Sequence, residues 1–146
     1  MPLRRLKLSL HRDHAMHATR VSVGKSKLVY VLVADKKLKY ASGKSRIAYI
    51  GTTKKGTSRI AQSVAARAED ILGITGVRSF YARIVTCRPR KHVKTWHYLE
   101  RGLIIKFKEI FGEVPACNSH GKNMKRAKEF DYFADGGLQL VIEELS

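Results

Sequence analysis

The run Lys27 to Ala34, KLVYVLVA, limits the possible folds more than any other stretch of the chain. A strand this uniformly apolar has no face to give to water, so it belongs in the middle of a sheet with packing on both sides. From Asp35 the character turns basic: Lys36, Lys37, Lys39, Lys44 and Arg46 surround a Ser42-Gly43 turn signal. Ile47 to Gly51 then returns to β-forming residues. The expectation is a hairpin whose long basic loop, residues 35–46, grips a nucleic acid backbone.

The second strand opens into the segment AYIGTTKKGTSR, Ala48 to Arg59: strand, Thr/Lys/Gly loop, and a helix predicted to begin at Ser58, a good N-cap residue. Tyr49, Lys54, Lys55 and Arg59 could converge on one phosphate. Along the helix, Ile60, Ala61, Val64, Ala65, Ala68, Ile71 and Leu72 form the predicted apolar stripe, with Arg59, Ser63, Arg67 and Asp70 opposite and Gly73 as the stop. Ser79 to Cys87 reads as a third strand. Val93 to Phe111 reads as the longest helix, and at 100° per residue Glu100 falls inside its apolar arc between Trp96, Leu103, Ile104 and Phe107. The positions three and four away hold Trp96, His97, Leu103 and Ile104, with no Lys or Arg. A carboxylate there is costly unless a bound cation, a guanidinium such as Arg59, or a proton compensates it.

Charge narrows the partner. The chain carries 29 Lys and Arg against 12 Asp and Glu, a formal +17 over 146 residues, which points to a polyanion, nucleic acid first. Two cysteines, Cys87 and Cys117, make no disulfide framework and fit a reducing compartment. With no apolar run of about eighteen residues, no membrane partner is expected, and the protein reads as intracellular and cytoplasmic, nucleoid-associated in a prokaryote.

The flanks are plainer. Leu3, Leu6, Leu8 and Leu10 alternate with polar residues, so residues 1–26 read as a basic arm or an added strand. His11, His14 and His17 read as a solvated or phosphate-facing cluster in preference to a metal site. Residues 27–121 form the core, and 122–146 an extension packed on the same domain. Within that extension 122–131 suits a short helix, Asp135-Gly136-Gly137 reads as a break, and Leu138 to Leu145 fits a strand or a helix.

In order, Leu28-Val29-Tyr30, Tyr49-Ile50-Gly51, Arg59 eight positions after that glycine, Glu100 on a helix and Asn118 after Pro115 resemble the GIY-YIG nuclease family, over residues 27–121. The first motif keeps only its tyrosine. The resemblance implies an α+β fold, a small antiparallel sheet of about three strands flanked by helices. It implies a DNA endonuclease with one Mg²⁺ or Mn²⁺ ion on Glu100, Arg59 on the phosphate, Tyr30 and Tyr49 at the reacting centre, and Asn118 supporting the site. Lys36, Lys37, Lys39, Lys44, Arg46, Lys54, Lys55 and Arg67 are then the contacts to double-stranded DNA. The short flanks suit a compact restriction-type enzyme, and a homodimer is how it would cut both strands. Ser63 stands where many members carry His or Tyr, which leaves open whether Tyr30 or Tyr49 activates water; the long basic segment between the tyrosines also admits Tyr40 in place of Tyr30.

Two other readings compete. A non-catalytic basic module binding RNA or the ribosome would need Glu100 and Arg59 as a structural pair and Asn118 as a loop clasp. A zinc-stabilised module would use Cys87, His92, Cys117 and His120, at spacings that fit no common finger.

Overall fold

The computed structural model describes residues 5–17 and 27–146. Its elements run β1 (Leu28–Tyr40), β2 (Gly43–Thr53), α1 (Thr57–Leu72), β3 (Phe80–Val85), α2 (Thr95–Phe111), α3 (Glu129–Tyr132) and α4 (Asp135–Leu145). The strands form one antiparallel sheet in the order β2-β1-β3. β1 is the middle strand, as its unbroken apolar run demands, and every residue from Leu28 to Ala34 is buried. This is the α+β architecture expected from the sequence.

The hairpin corrects one expectation. Residues 35–46 are not a loop: β1 continues to Tyr40, β2 begins at Gly43, and Ala41 and Ser42 alone make the turn. Leu38 and Tyr40 are buried while Lys37 and Lys39 are exposed, a strand alternation that the charges had hidden. Register shifts between Val33 and Leu38 absorb the irregular middle. The end of α2 clamps the turn. Ser42 N–H donates to the Phe111 carbonyl at 2.9 Å, and Gly112 leaves the helix at φ 81, where a Cβ would stand 2.8 Å from Ser42 Oγ.

α2 is enclosed on nearly all sides. Leu103, Ile104 and Phe107 are fully buried, with β1 and β2 on one side of the helix and α3 and α4 on another. Gly102 lets α4 approach: a Cβ there would meet Leu138 Cδ1 at 3.1 Å. Two ion pairs fasten the C-terminal segment to α2. Arg101 Nε donates to Glu129 at 2.5 Å, and Lys106 Nζ lies 3.0 Å from both oxygens of Asp135. The last residues are thus a helix, with Leu138, Ile142 and Leu145 as its inner face, and Asp135-Gly136-Gly137 is its first turn and not a break. α2 itself starts at Thr95, because residues 90–93 form a bridged turn with His92 at φ 62.

Residues 5–17 carry no strand, and Leu6, Leu8 and Leu10 are exposed. The rest of the 1–26 segment, Leu3 included, lies outside the described residues. Among the described residues no helix is long and apolar enough to cross a membrane.

Candidate active site

Tyr30 of β1 stands opposite Gly51 of β2, and Tyr49 lies two residues along the same face. The two rings are 5.9 Å apart, centroid to centroid, at a tilt of 37°. Gly51 is what makes room for them. A Cβ at that position would fall 2.6 Å from Tyr49 Cε1 and 2.7 Å from the Tyr30 hydroxyl, so the phenols occupy the space any other residue would claim.

α1 supplies the third side, with a face that differs from the predicted one. Ile60 and Ile71 are buried and Ser63, Val64, Arg67 and Ala68 half-buried, whereas Ala61, Ala65 and Leu72 are exposed. The inner set follows i, i+3, i+4, i+7, i+8 and i+11. The predicted stripe leaned on alanines, whose methyl groups bury too little area to fix a helix's rotation. Gly56, at φ 69, is the N-cap; Ser58 sits in the first turn, and its hydroxyl donates to the Lys55 carbonyl at 3.3 Å.

This rotation brings one ridge of α1 onto the tyrosines. Ser63 Oγ and the Tyr30 hydroxyl are 2.5 Å apart. The Arg67 guanidinium lies 4.4 Å from the centre of the Tyr49 ring, and its Nη2 donates to the Tyr49 hydroxyl at 3.4 Å. Arg67 Nε is buried without a hydrogen-bond partner. Arg59, one turn before Ser63, is exposed and donates to Gln62 at 3.3 Å. Burial, with a smaller contribution from Tyr49, pushes the Tyr30 hydroxyl up to about 12, although the Ser63 bond and the Arg59 charge pull the other way. The Tyr49 hydrogen bond, ahead of the opposing effect of burial, holds Arg67 above its ordinary value.

Glu100 is buried on α2 at 7% exposure. Among the described residues its one ion pair is with His120 Nε2, at 3.7 Å, and that imidazole is mostly exposed. Burial raises the Glu100 carboxyl above its ordinary range, and the nearby His120, His97 and Arg101 only partly offset this. The carboxylate is therefore buried with weak compensation, a donor suited to a hard divalent cation that keeps most of its water.

Asn118 binds the edge of β2 as another strand would. Its Oδ1 accepts from Ile50 N–H at 3.0 Å and its Nδ2 donates to the Ile50 carbonyl at 2.9 Å. Cys117 N–H adds a bond to the Ala48 carbonyl at 2.9 Å. The loop that carries His120 is thereby pinned at Ile50, between Tyr49 and Gly51.

Other residues singled out from the sequence lie elsewhere. Lys36, Lys37, Lys39, Lys44 and Arg46 are on the strands toward the turn; Lys39 pairs with Lys44, nine positions along β1 from Tyr30. At about 3.3 Å per residue they are roughly 25–30 Å from the tyrosines at the farthest. Lys54 and Lys55 are exposed in the loop that follows β2, beside the start of α1. Tyr40 is engaged in the core, donating to the Ile47 carbonyl at 2.6 Å and accepting from Ala116 N–H at 3.0 Å. Glu100 and Arg59 do not pair. Cys87, His92, Cys117 and His120 do not assemble, and neither do the three N-terminal histidines: among the described residues no three His, Cys, Asp or Glu side chains gather. Sequence reasoning missed the bonding roles of Ser63 and Arg67, although their spacing from Arg59, four and eight positions, marks one helical ridge.

No protein-family model, no curated protein and no solved structure matches the chain.

Proposed function

We propose that this protein is a divalent-metal-dependent endonuclease for double-stranded DNA, built on a GIY-YIG-like core. The observation that carries the reading is the paired phenols of Tyr30 and Tyr49, divided by Gly51 and faced by Arg59, Ser63 and Arg67 on one ridge of α1. Two phenols with guanidinium groups beside them suit a reaction at a phosphodiester, where a proton must leave water and negative charge must be held.

The two tyrosines divide the work. Ionising Tyr30, held near 12, would cost about 7 kcal/mol at pH 7. Ionisation is thus costly at Tyr30, and its short bond to Ser63 makes it a fixed positioning group. Tyr49, whose hydroxyl accepts from Arg67 and is not tied to a neighbouring hydroxyl as Tyr30 is, takes the proton from water. Arg59, exposed at the start of α1, is free to hold the non-bridging phosphate oxygens. Glu100 would hold the Mg²⁺ or Mn²⁺ ion, which when bound neutralises phosphate charge and assists the departing oxygen. Asn118 keeps β2 in register beneath the site. The RNA- or ribosome-binding alternative depends on a Glu100–Arg59 pair, and those two residues have other partners.

The test is a supercoiled plasmid incubated with the protein and Mg²⁺, alone or with EDTA. Nicking or linearisation that EDTA abolishes is the expected result. An intact plasmid at protein excess, with DNA still bound, would establish the non-catalytic module.

A further inference from the structure

Next to the tyrosine site, where β1 begins and β3 ends against the start of α2, lies an open cavity of ≈ 380 Å³. That volume is within the range of about 300–1,000 Å³ typical of small-molecule clefts. Leu28 and Leu99 give it an apolar floor, Trp96 an aromatic wall, and Lys27 and Arg90 two cations. A second cavity of ≈ 430 Å³ shares Lys27, Arg90 and Trp96 and adds Lys91 and Lys94. Among the described residues no carboxylate lines either one.

Three properties occur together: a flat π surface, an apolar floor, and several cations without a counter-charge. A simple anion would use the cations and leave the indole idle. An acyl chain would use the floor and strand the cations. A nucleotide uses all three, its base on the indole and its phosphates on the ammonium and guanidinium groups. Lys27 Nζ already lies over the Trp96 ring, 4.7 Å from its centre. A base can take that place on the ring while the released ammonium moves to a phosphate.

We propose that this cavity takes one unpaired base of the DNA strand, stacked on Trp96, with its flanking phosphates held by Lys27 and Arg90. The proposal rests on the nuclease reading for its choice of DNA and for the meaning of its position. Leu28 is two residues from Tyr30 along β1, and Trp96 is one turn before Glu100 on α2. Each interval is about 6–7 Å, or about two nucleotides at 3.4 Å of rise, so the base bound here is a near neighbour of the bond being cut. The cavity would select sites whose strands open easily beside the cleavage point.

Trp96 is the chain's one tryptophan, so its fluorescence reports on this wall alone. The full-length protein in EDTA is titrated with a single-stranded oligodeoxynucleotide and with an abasic deoxyribose-phosphate oligomer of equal length. The base-containing strand is expected to quench the emission saturably and bind about tenfold tighter, because one stacked base contributes on that scale. Trp96→Ala should reduce its affinity to that of the abasic strand, whereas Trp96→Phe should keep most of the preference. Equal affinity for both oligomers without quenching in the wild-type protein overturns the proposal, whether or not the variants fold. Stronger binding and quenching by the matching oligoribonucleotide overturns the assignment to DNA. Mg²⁺-dependent plasmid cleavage is scored separately: cleavage without quenching removes the base site alone, and quenching without cleavage removes the nuclease alone.

Discussion

Glu129 and Glu100 are both buried acids against α2, and the protein treats them in opposite ways. Glu129 is fully enclosed, yet Arg101 donates to one oxygen at 2.5 Å and Ala127 N–H to the other at 2.7 Å. Burial alone would push its carboxyl up, but these bonds outweigh it and bring the group below its ordinary value. Glu100 is slightly less enclosed and has only a 3.7 Å contact with an exposed histidine, so burial prevails and its carboxyl is raised. One acid is compensated from within the fold and fastens α3 to α2. The other receives one long contact from a histidine, and its burial is left largely uncompensated. Burial alone therefore does not separate the two acids; the number and length of the bonds each carboxylate receives do.

The comparison breaks or holds on substitution. Glu100→Gln should lower cleavage by about a thousandfold or more, the scale of losing a transition-state charge partner, with no loss of folding stability. A variant that still cuts at the wild-type rate removes Glu100 from the site. Glu129→Gln should do the reverse, costing about 3–5 kcal/mol in urea unfolding because Arg101 is left half-buried without its partner. Full stability after that change would show the pair to be dispensable.

Acid titration sharpens the contrast. Stability contributed by Glu129 is complete above its ordinary value of 4.5 and is lost as pH falls through it toward the lowered folded value. Glu100 works the other way, with its penalty absent in acid and growing as pH rises above 4.5 toward the raised folded value. Glu100→Gln should therefore be more stable than wild type at pH 7, with the two converging in acid. Thermal unfolding across that range decides it, and a variant less stable at neutral pH contradicts the reading.

The tyrosines come next in size. Tyr49→Phe should cost about a hundredfold in cleavage, the lower range of general-base catalysis, and Tyr30→Phe distinctly less. Equal losses would cancel the division of labour between them. Smallest is the effect on salt dependence. Removing Lys54 or Lys55, beside the site, should lower the slope of log K against log salt by about 0.9 each if each meets a phosphate. Lys39→Ala at the distant turn should leave cleavage nearly unchanged, and a large loss there would extend the DNA path along the whole hairpin.

Much of the architecture was legible because burial on both faces leaves a long apolar record, as in Lys27 to Ala34. The buried position of Glu100 could be read for the same reason, since large residues on α2 fix its inner arc. α1 could not be oriented, because its alanines weigh almost nothing in a hydrophobic tally, and Ser63 and Arg67 were placed outside. Across residues 35–46 the lysines mask the period of two, so a strand there has the composition of a loop. Glu129 went unnoticed for a different reason. Its burial comes from a partner twenty-eight positions away, Arg101, and no local pattern encodes such a contact.

The amide of Asn118 has a consequence for assembly. By occupying the outer hydrogen-bonding groups of Ile50 it seals that margin of the sheet against any visiting backbone. β3 forms the opposite margin of the sheet and, like β2, has β1 as its one strand neighbour among the described residues. A backbone arriving beside Ile50 would first have to displace that amide, and so give up two hydrogen bonds to gain two.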